Sequence, residues 1–330
     1  MARDDLQDWP DPSPVALLRL PQAHPLAVLP TAERVEAARA YFRETLAPGM
    51  GIRTLRISPW VGIYAWKTLE WDSERLGMET ARILCVMACG PDVPPSVPRA
   101  SLHETVDCAL IRSRCLEHVV REARTSGVRY LFMRIDAGDV DLLHLLEERG
   151  FRVVDGILTF ARRVEAGLEP PTGFSWRMAT LDDIPRLREV GSSVYSHDRF
   201  HVDPAIGVGV ADRLHAEWLE NSIRGRVADF VMVHEEGGRV AGFVTCQVDH
   251  QVARWLGGPH ATIVLVGTAR DVARKGIGQQ LTQVALAEMA RRGVTWAQVG
   301  TQLSNIPASR LYERCGFDLV ASSLTLRILL

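Results

Sequence analysis

Two stretches near the C-terminus decide the fold: Ala273-Arg-Lys-Gly-Ile-Gly278 and Asn305-Ile-Pro-Ala-Ser-Arg-Leu-Tyr-Glu-Arg-Cys-Gly-Phe317. The first is a short glycine loop that opens an amphipathic helix, where backbone amides and the helix dipole favour an anion. The second places Asn305 and Tyr312 seven residues apart, which is two turns along one helix face. Together they predict a site that binds a phosphate group and positions a phenol.

The composition is that of an ordinary globular chain. Its 330 residues predict about two domains. A net charge of −2 argues against a nucleic acid or an anionic membrane as partner. The six cysteines form no CxxC pair and the ten histidines no ligand spacing, so we expect reduced thiols and no metal. There is no apolar run long enough to span a bilayer and no signal peptide, which predicts a cytoplasmic protein.

A proline-rich linker at 167–173 divides the chain. We expect an N-terminal arm and helix in residues 1–48, with 1–30 irregular, then one lobe in 49–166 and a second in 173–330. Hydrophobic periodicity predicts alternating helices and strands in both lobes, which favours an α/β fold. The predicted elements of the first lobe are a helix at 31–46, strands at 52–57, 81–89 and 130–135, a loop at 90–98 and a helix at 105–126.

The second lobe follows the same pattern. Thr180 and Asp183 approximate a capping box, and Glu235-Glu-Gly-Gly238 suits a hairpin turn. The predicted strands are 174–178, 230–234, 240–248, 261–266, 294–299 and 317–328, and the predicted helices include 211–223, 276–292 and 305–315.

A weak internal repeat links the two lobes. His144–Phe160 lies on Arg310–Leu326 with seven identical positions. In this register Leu146 stands at the position of Tyr312 and Asp139 at that of Asn305, and the first copy has no Gly-x-Gly loop. We therefore predict two related lobes, of which only the second is functional. The alternative is a chance likeness between helix–glycine–strand junctions.

These motifs resemble the acetyl-coenzyme-A site of the GNAT N-acetyltransferase superfamily. The resemblance implies a GNAT fold, a mixed central sheet flanked by helices, with a degenerate GNAT-like lobe at the N-terminus. It also implies acetyl-CoA as cosubstrate, with the pyrophosphate on the glycine loop. The residues implied to hold the cosubstrate are Val266, Gly267 and Thr268 for pantetheine, and Arg274, Lys275, Gly276, Ile277, Gly278 and Gln279 for pyrophosphate. Ala273 departs from the family pattern, which usually has Arg or Gln there.

Asn305 has two interpretations: it binds pantetheine or the nearby backbone, or it caps its helix. For the chemistry, the resemblance implies that an amine attacks the thioester directly and that Tyr312 acts as the acid at the leaving thiolate. The alternative for Tyr312 is a ring packed on the sheet. A base must keep the amine neutral; a water chain is one option, and the candidate side chains are Glu217, Asp249, His250 and His260.

Three further segments suggest the acceptor: Ser196–Phe200, Ala216–Gly225 and Leu69–Gly77. They resemble the dTDP-fucosamine acetyltransferase family, which acetylates the 4-amino group of a nucleotide-linked sugar. The resemblance and the need for cations and aromatic faces make these the substrate-binding candidates: Arg199, Trp218, Asn221, Arg224 and Trp71. The structural alternatives are a surface pair between Glu220 and Arg224, and a core position for Trp218.

Other functions remain open at this point. A GNAT protein could acetylate another small-molecule amine or a protein N-terminus. A chain that has lost its acid could instead be a non-catalytic acyl-CoA-binding regulator, and the retained Tyr312 argues against this. The sequence leaves the sugar, the nucleotide and homodimer formation undecided.

Overall fold

The computed structural model describes residues 21–58, 60–90 and 106–330. Residues 1–20 of the predicted arm and residues 91–98 of the predicted loop lie outside this range. The chain divides into two compact units, Met1–Gly156 with Ser322–Leu330, and Ile157–Ala321. Among the described residues, no helix combines the length and apolar character that crossing a membrane requires.

Along the sequence of the first unit, helices alternate with the strands of a mixed sheet. Its strand order is β1-β2-β3-β4 followed by the last strand of the chain, and β3 and β4 run parallel. The predicted helix at 31–46 continues through a π-helical turn, Phe42–Leu46, and ends at Gly51 in the left-handed region. The elements are a 3₁₀ helix Pro21–Val28, α1 Thr31–Tyr41, α2 Ala47–Met50, β1 Arg53–Ile57, β2 Trp60–Thr68, α3 Glu70–Leu76, β3 Thr80–Cys89, α4 Val106–Thr125, β4 Tyr130–Asp136, α5 Val140–Glu148 and β5 Arg152–Arg163.

The second unit repeats this plan. The capping box of Thr180 and Asp183 is confirmed, as is the β7–β8 hairpin, whose Gly237 and Gly238 both have positive φ. The elements are β6 Trp176–Met178, a 3₁₀ turn Leu181–Asp183, α6 Ile184–Val194, α7 Arg199–Val202, α8 Val208–Ile223, β7 Phe230–Glu236, β8 Arg239–Asp249, α9 Ala253–Leu256, β9 His260–Thr268, a 3₁₀ turn Arg270–Val272, α10 Ile277–Arg291, β10 Trp296–Gln302, α11 Ile306–Arg314 and β11 Asp318–Leu329.

Strand pairing sets the limits of both units. Residues 323–329 of β11 pair antiparallel with β4, so the end of the chain belongs to the first unit. Residues 157–163 of β5 pair with β10, so they belong to the second. The predicted limits, 49–166 and 173–330, follow the linker and therefore differ from these units at both ends.

The internal repeat is present in the structure with a constant offset of 166 positions. Asn305 and Asp139 differ by 305 − 139 = 166, and the same offset relates β4 to β10, α5 to α11 and β5 to β11. The equivalent helices α5 and α11 are each followed by a glycine in the left-handed region, Gly150 and Gly316. No insertion separates the two copies over this region, which confirms two lobes of one architecture.

Candidate active site

The parallel strands β9 and β10 separate part-way along their length. Their pairing runs from His260↔Trp296 to Ile263↔Val299 and stops there. Beyond Ile263, among the described strands, β9 keeps only its antiparallel partner β8. The predicted pantetheine residues Val266, Gly267 and Thr268 lie in this open part. Their backbone groups on the open side can therefore pair with an extended ligand, as an exposed strand edge pairs with a peptide.

The glycine loop ends where α10 begins. Gly276 is the residue before the helix, in the left-handed region at φ 81°, and no side chain caps the first turn. The first amides of a helix have no acceptor within the helix, so they are available to an anion. Arg274 also has a positive φ, 67°, and is the one non-glycine residue of the described chain that does. Such strain is typical of functional loops.

The side chains around this loop have defined positions. Lys275 Nζ lies 2.9 Å from Glu236 Oε1 in an exposed ion pair, and Arg274 is exposed. Ile277 is buried in the core of the unit. A Cβ on Gly278 would lie 3.0 Å from Leu311. Gly278 therefore permits the close packing of α10 on α11. The carbonyl of the next residue, Gln279, lies 3.8 Å from the Cys315 thiol.

Tyr312 is buried in the same unit, with 4% of its surface exposed. Its ring packs between Phe160 and Phe317, with centroids 6.0 Å from each. Burial raises the pKa of Tyr312 well above its usual value, with a smaller contribution from Cys315. The phenol is therefore protonated at neutral pH. Its hydroxyl makes no hydrogen bond to any described residue, so it can donate its proton to a ligand.

Asn305 caps α11. Its side-chain oxygen accepts from the Ala308 amide at 3.3 Å. The structure thus shows the capping role, which leaves the side-chain amide group as the part that could contact a ligand.

A second tyrosine, which the sequence analysis missed, lies at the open strand. The Tyr195 hydroxyl donates to the Val266 carbonyl at 3.3 Å, and its ring stacks on His215 at 4.4 Å. Burial raises the pKa of Tyr195, and the charges of Tyr312 and Asp198 add to the shift. Tyr195 directly precedes the Ser196–Phe200 segment, and this adjacency was the only sequence signal for it.

The predicted acceptor-binding residues are dispersed. Arg224 pairs with Glu220 at 2.9 Å, and Glu220 also binds Arg188. Asn221 accepts from Arg226 at 2.9 Å. These contacts are the surface pairs of the structural alternative.

The aromatic and cationic candidates have different surroundings. Trp218 is half-buried, with its ring 6.3 Å from His215. The Arg199 guanidinium lies 4.3 Å from the Phe200 ring. Trp71 belongs to the first unit and lies beneath the Arg75 guanidinium.

Three of the four candidate bases lie far from the open strand segment. His260 is the first residue of β9 and pairs with Asp249, the last residue of β8. His250 comes directly after Asp249 in the sequence. Six residues of strand separate His260 from Val266, which corresponds to about 20 Å. Glu217 lies on α8. The structure therefore brings none of Asp249, His250 and His260 to the thioester position.

The separated parallel strands, the glycine loop and the buried tyrosine all lie within one sequence region. The acetyltransferase (GNAT) family model matches residues 199–317. This part of the chain is a GNAT acetyltransferase domain. The domain match and the solved structures described below confirm the predicted GNAT fold class. The match also supports the prediction of an N-acetyltransferase, and the curated relatives are named as acetyltransferases.

Two relatives of this GNAT protein illustrate the range of acceptors. The chain is 27% identical to the dTDP-fucosamine acetyltransferase of Escherichia coli O6:H1 over 191 residues, 58% of this chain and 77% of that one. It is 34% identical to the mycothiol acetyltransferase of Thermobifida fusca over 91 residues, 27% of this chain and 28% of that one.

Solved structures support the fold. A GCN5-related N-acetyltransferase from Sphaerobacter thermophilus aligns with a TM-score of 0.53 at 17% identity, covering 97% of this chain and 94% of that one. A tandem GNAT protein from the clavulanic acid biosynthesis pathway aligns with a TM-score of 0.50 at 14% identity, covering 92% and 89%. These likenesses support the two-lobed architecture.

Proposed function

We propose that this chain transfers the acetyl group of acetyl-CoA to the amino group of a nucleotide-linked amino-deoxy sugar. The observation that carries the proposal is the separation of β9 from β10 beyond Ile263. It leaves backbone at Val266–Thr268 for pantetheine, in the same unit as the glycine loop and Tyr312. The amides that open α10 would hold the pyrophosphate.

The reaction needs no covalent enzyme intermediate. A neutral amine attacks the thioester carbonyl, and the carbonyl oxygen becomes negative, where a backbone amide of the open β9 segment stabilises it. The nitrogen releases a proton to water, which can in turn restore the proton that Tyr312 gives up. The carbon–sulfur bond then breaks, and coenzyme A leaves as a thiolate. The Tyr312 hydroxyl, protonated because burial raises its pKa, supplies a proton to that sulfur.

The acceptor class rests on the likeness to the dTDP-fucosamine acetyltransferase and on the residues of the matched segment. Such an acceptor carries its own pyrophosphate, which requires cations outside the coenzyme site. Arg199 and Arg224 would meet this need, and Trp218 would offer a ring face for the sugar or the base. Asn221 completes the proposed acceptor contacts of this unit.

The test is coenzyme A release by the full chain with acetyl-CoA and a panel of amines, with the acetylated product identified by mass. The panel contains dTDP-4-amino-4,6-dideoxyhexoses, the same sugars without nucleotide, other small-molecule amines, and peptides with a free N-terminus. We expect the highest kcat/KM for a nucleotide sugar. Preference for the sugar without its nucleotide, or for another amine, would contradict the acceptor class. Tight acetyl-CoA binding without turnover on any amine would instead favour a regulator.

A further inference from the structure

Two histidines and two aspartates meet at the segment that follows Tyr195. Asp198 precedes α7, His201 lies on α7, and Asp212 and His215 lie on α8. The Asp198 Oδ1 atom accepts from the Phe200 amide at 2.9 Å. This cap leaves the other oxygen, Oδ2, directed at both histidines.

Each imidazole has one nitrogen bound to a fixed acceptor. His201 Nε2 lies 3.1 Å from Asp212 Oδ1, and His215 Nδ1 lies 3.0 Å from the Ala211 carbonyl. A carboxylate and a carbonyl only accept, so each of these two nitrogens can carry the ring hydrogen. In the neutral rings, His215 Nε2 then presents a lone pair, and so does His201 Nδ1 when the ring's single hydrogen is on Nε2. With the hydrogen on Nδ1, His201 instead donates to the Asp198 carboxylate at 2.8 Å.

These lone pairs converge on Asp198. Oδ2 lies 2.8 Å from His201 Nδ1 and 3.5 Å from His215 Nε2, and one ligand atom from each of the three residues falls within 4.8 Å of the others. The side chains are largely buried, with 12% of Asp198, 9% of His201 and 4% of His215 exposed. With the ring hydrogens on the outer nitrogens, three acceptor atoms meet at one buried position, which a positive charge between them would stabilise.

We propose that Asp198, His201 and His215 bind a divalent transition-metal ion of the zinc class. Outer nitrogens that donate to a carboxylate and to a backbone carbonyl are the usual surroundings of metal-bound histidines. Two nitrogens and one oxygen suit Zn²⁺ better than Mg²⁺ or Ca²⁺, which prefer oxygen ligands. Three protein ligands leave a fourth position for water.

Two of the three distances between ligand atoms lie near the values for this assignment, and the third, between His201 and His215, is at most 4.8 Å. Two ligands of a tetrahedral zinc lie about 3.3 Å apart. The 3.5 Å edge to His215 is near this value, and the 2.8 Å edge to His201 must open by about 0.5 Å. A proton shared along that shorter edge is the competing occupant. The site lies next to Tyr195, whose ring stacks on His215. A bound ion would therefore fix the position of the segment that contains this tyrosine.

The site had no signal in sequence spacing, because Asp198 and His201 are three residues apart and His215 is fourteen further on. Only the packing of α7 on α8 makes them neighbours. The prediction that the histidines form no ligand set therefore rested on linear spacing alone.

The test is metal uptake by the full chain after removal of bound metal with a chelator. We expect about one Zn²⁺ per chain by elemental analysis, and Co²⁺ to give the intense visible absorption of a four-coordinate site. His201→Ala and His215→Gln should each weaken Co²⁺ binding at least 100-fold. Asp212→Asn removes no ligand and should weaken it 10–100-fold by loss of orientation. His250→Ala, an exposed residue outside the cluster, is the matched control and should bind as the wild type does.

Circular dichroism of each variant checks that loss of binding is not loss of folding, and Asp198→Asn serves as a third ligand variant if one misfolds. Uptake that is absent in folded wild-type protein overturns the proposal, as does uptake that is equal in the histidine variants. In that case nitrogen-15 spectra showing a doubly protonated His201 would identify the proton as the occupant. No readout depends on acetyltransferase turnover, so failure here is distinct from failure of the proposed function.

Discussion

The two lobes differ most where their repeated helices begin. Asp139 and Asn305 cap equivalent helices, and each side chain accepts an amide three residues on, at 3.3 Å. The offset of 166 aligns Gly278 of the glycine loop with Arg112. The Arg112 guanidinium binds both oxygens of Asp139, at 3.1 and 2.6 Å, with 5% and 6% of the two side chains exposed.

This comparison shows how one architecture can keep or lose an anion site. In the second lobe, Gly278 lies in the first turn of α10, whose amides are proposed to bind the anion, and the cap of α11 is the neutral Asn305. In the first lobe a buried ion pair connects α4 to the start of α5, so the cation has its counter-charge within the protein. Leu146 in place of Tyr312 removes the phenol as well. The first lobe thus keeps the packing and lacks both polar elements of the proposed chemistry.

The largest effect is expected from Tyr312→Phe. The ring keeps its packing on Phe160 and Phe317, but the proton donor is lost, so turnover should fall about 10²–10⁴-fold. Coenzyme A release at saturating acetyl-CoA measures this. Leu146→Met at the equivalent position is the control, because it changes a buried side chain of the first lobe without touching a polar group, and its turnover should match the wild type. Undiminished turnover of Tyr312→Phe would remove the tyrosine from the mechanism.

Asp139→Asn should lower the free energy of unfolding by about 3–5 kcal/mol. Asparagine can still cap α5, but the buried Arg112 guanidinium loses the charge of its bidentate partner Asp139. Urea unfolding measures the loss. Adding Arg112→Met to Asp139→Asn removes the buried cation as well and should restore most of the stability. A double variant no more stable than the single one would show that the cap, and not the ion pair, is what matters at this position.

Gly276→Ala and Gly127→Ala form a matched pair, one in each unit. Both glycines have positive φ, 81° and 78°, and an added Cβ meets no atom within 4 Å at either. The left-handed backbone should therefore cost each variant about 1–2 kcal/mol of stability. Calorimetric titration should show that acetyl-CoA affinity falls about tenfold in Gly276→Ala alone, equivalent to about 1.4 kcal/mol. Equal acetyl-CoA affinities in the two variants would show that the glycine loop takes no part in cosubstrate binding.

The smallest effect concerns a more exposed ion pair of the second unit. Arg177 binds both oxygens of Asp183, at 2.7 and 2.8 Å, and with the Thr180 amide it holds the pKa of that carboxyl below its usual 3.8. A lowered folded pKa contributes stability above the unfolded value, and this stability is lost as the pH falls through the folded value. Asp183→Asn should therefore cost about 1 kcal/mol at pH 7 and less at pH 3.

Urea unfolding of wild type and Asp183→Asn at both pH values checks this prediction. Because each measurement compares the two proteins at one pH, the titration of other carboxylates largely cancels. If the stability difference between wild type and Asp183→Asn were larger at pH 3 than at pH 7, the ionised carboxyl would not make the stabilising contribution assigned to it.

Much of the architecture could be predicted because it depends on local periodicity. The glycine that ends each repeated helix, the hairpin at Gly237–Gly238 and the capping box at Thr180 follow from backbone rules that act over a few residues. The separation of β9 from β10 could not be predicted, because the pairing register depends on neighbouring strands. For the same reason the sequence missed Tyr195, whose contact with Val266 joins residues 71 positions apart.

The sequence by itself determined the α/β class, the repeat, the glycine loop and the position of Tyr312 on its helix. Hydrogen bonds and side-chain periods within one element carry this information. The tertiary structure alone decided which strand ends belong to which unit, that Arg112 meets Asp139, and that two helices bring Asp198, His201 and His215 together. These arrangements depend on contacts between distant segments, which linear spacing does not encode.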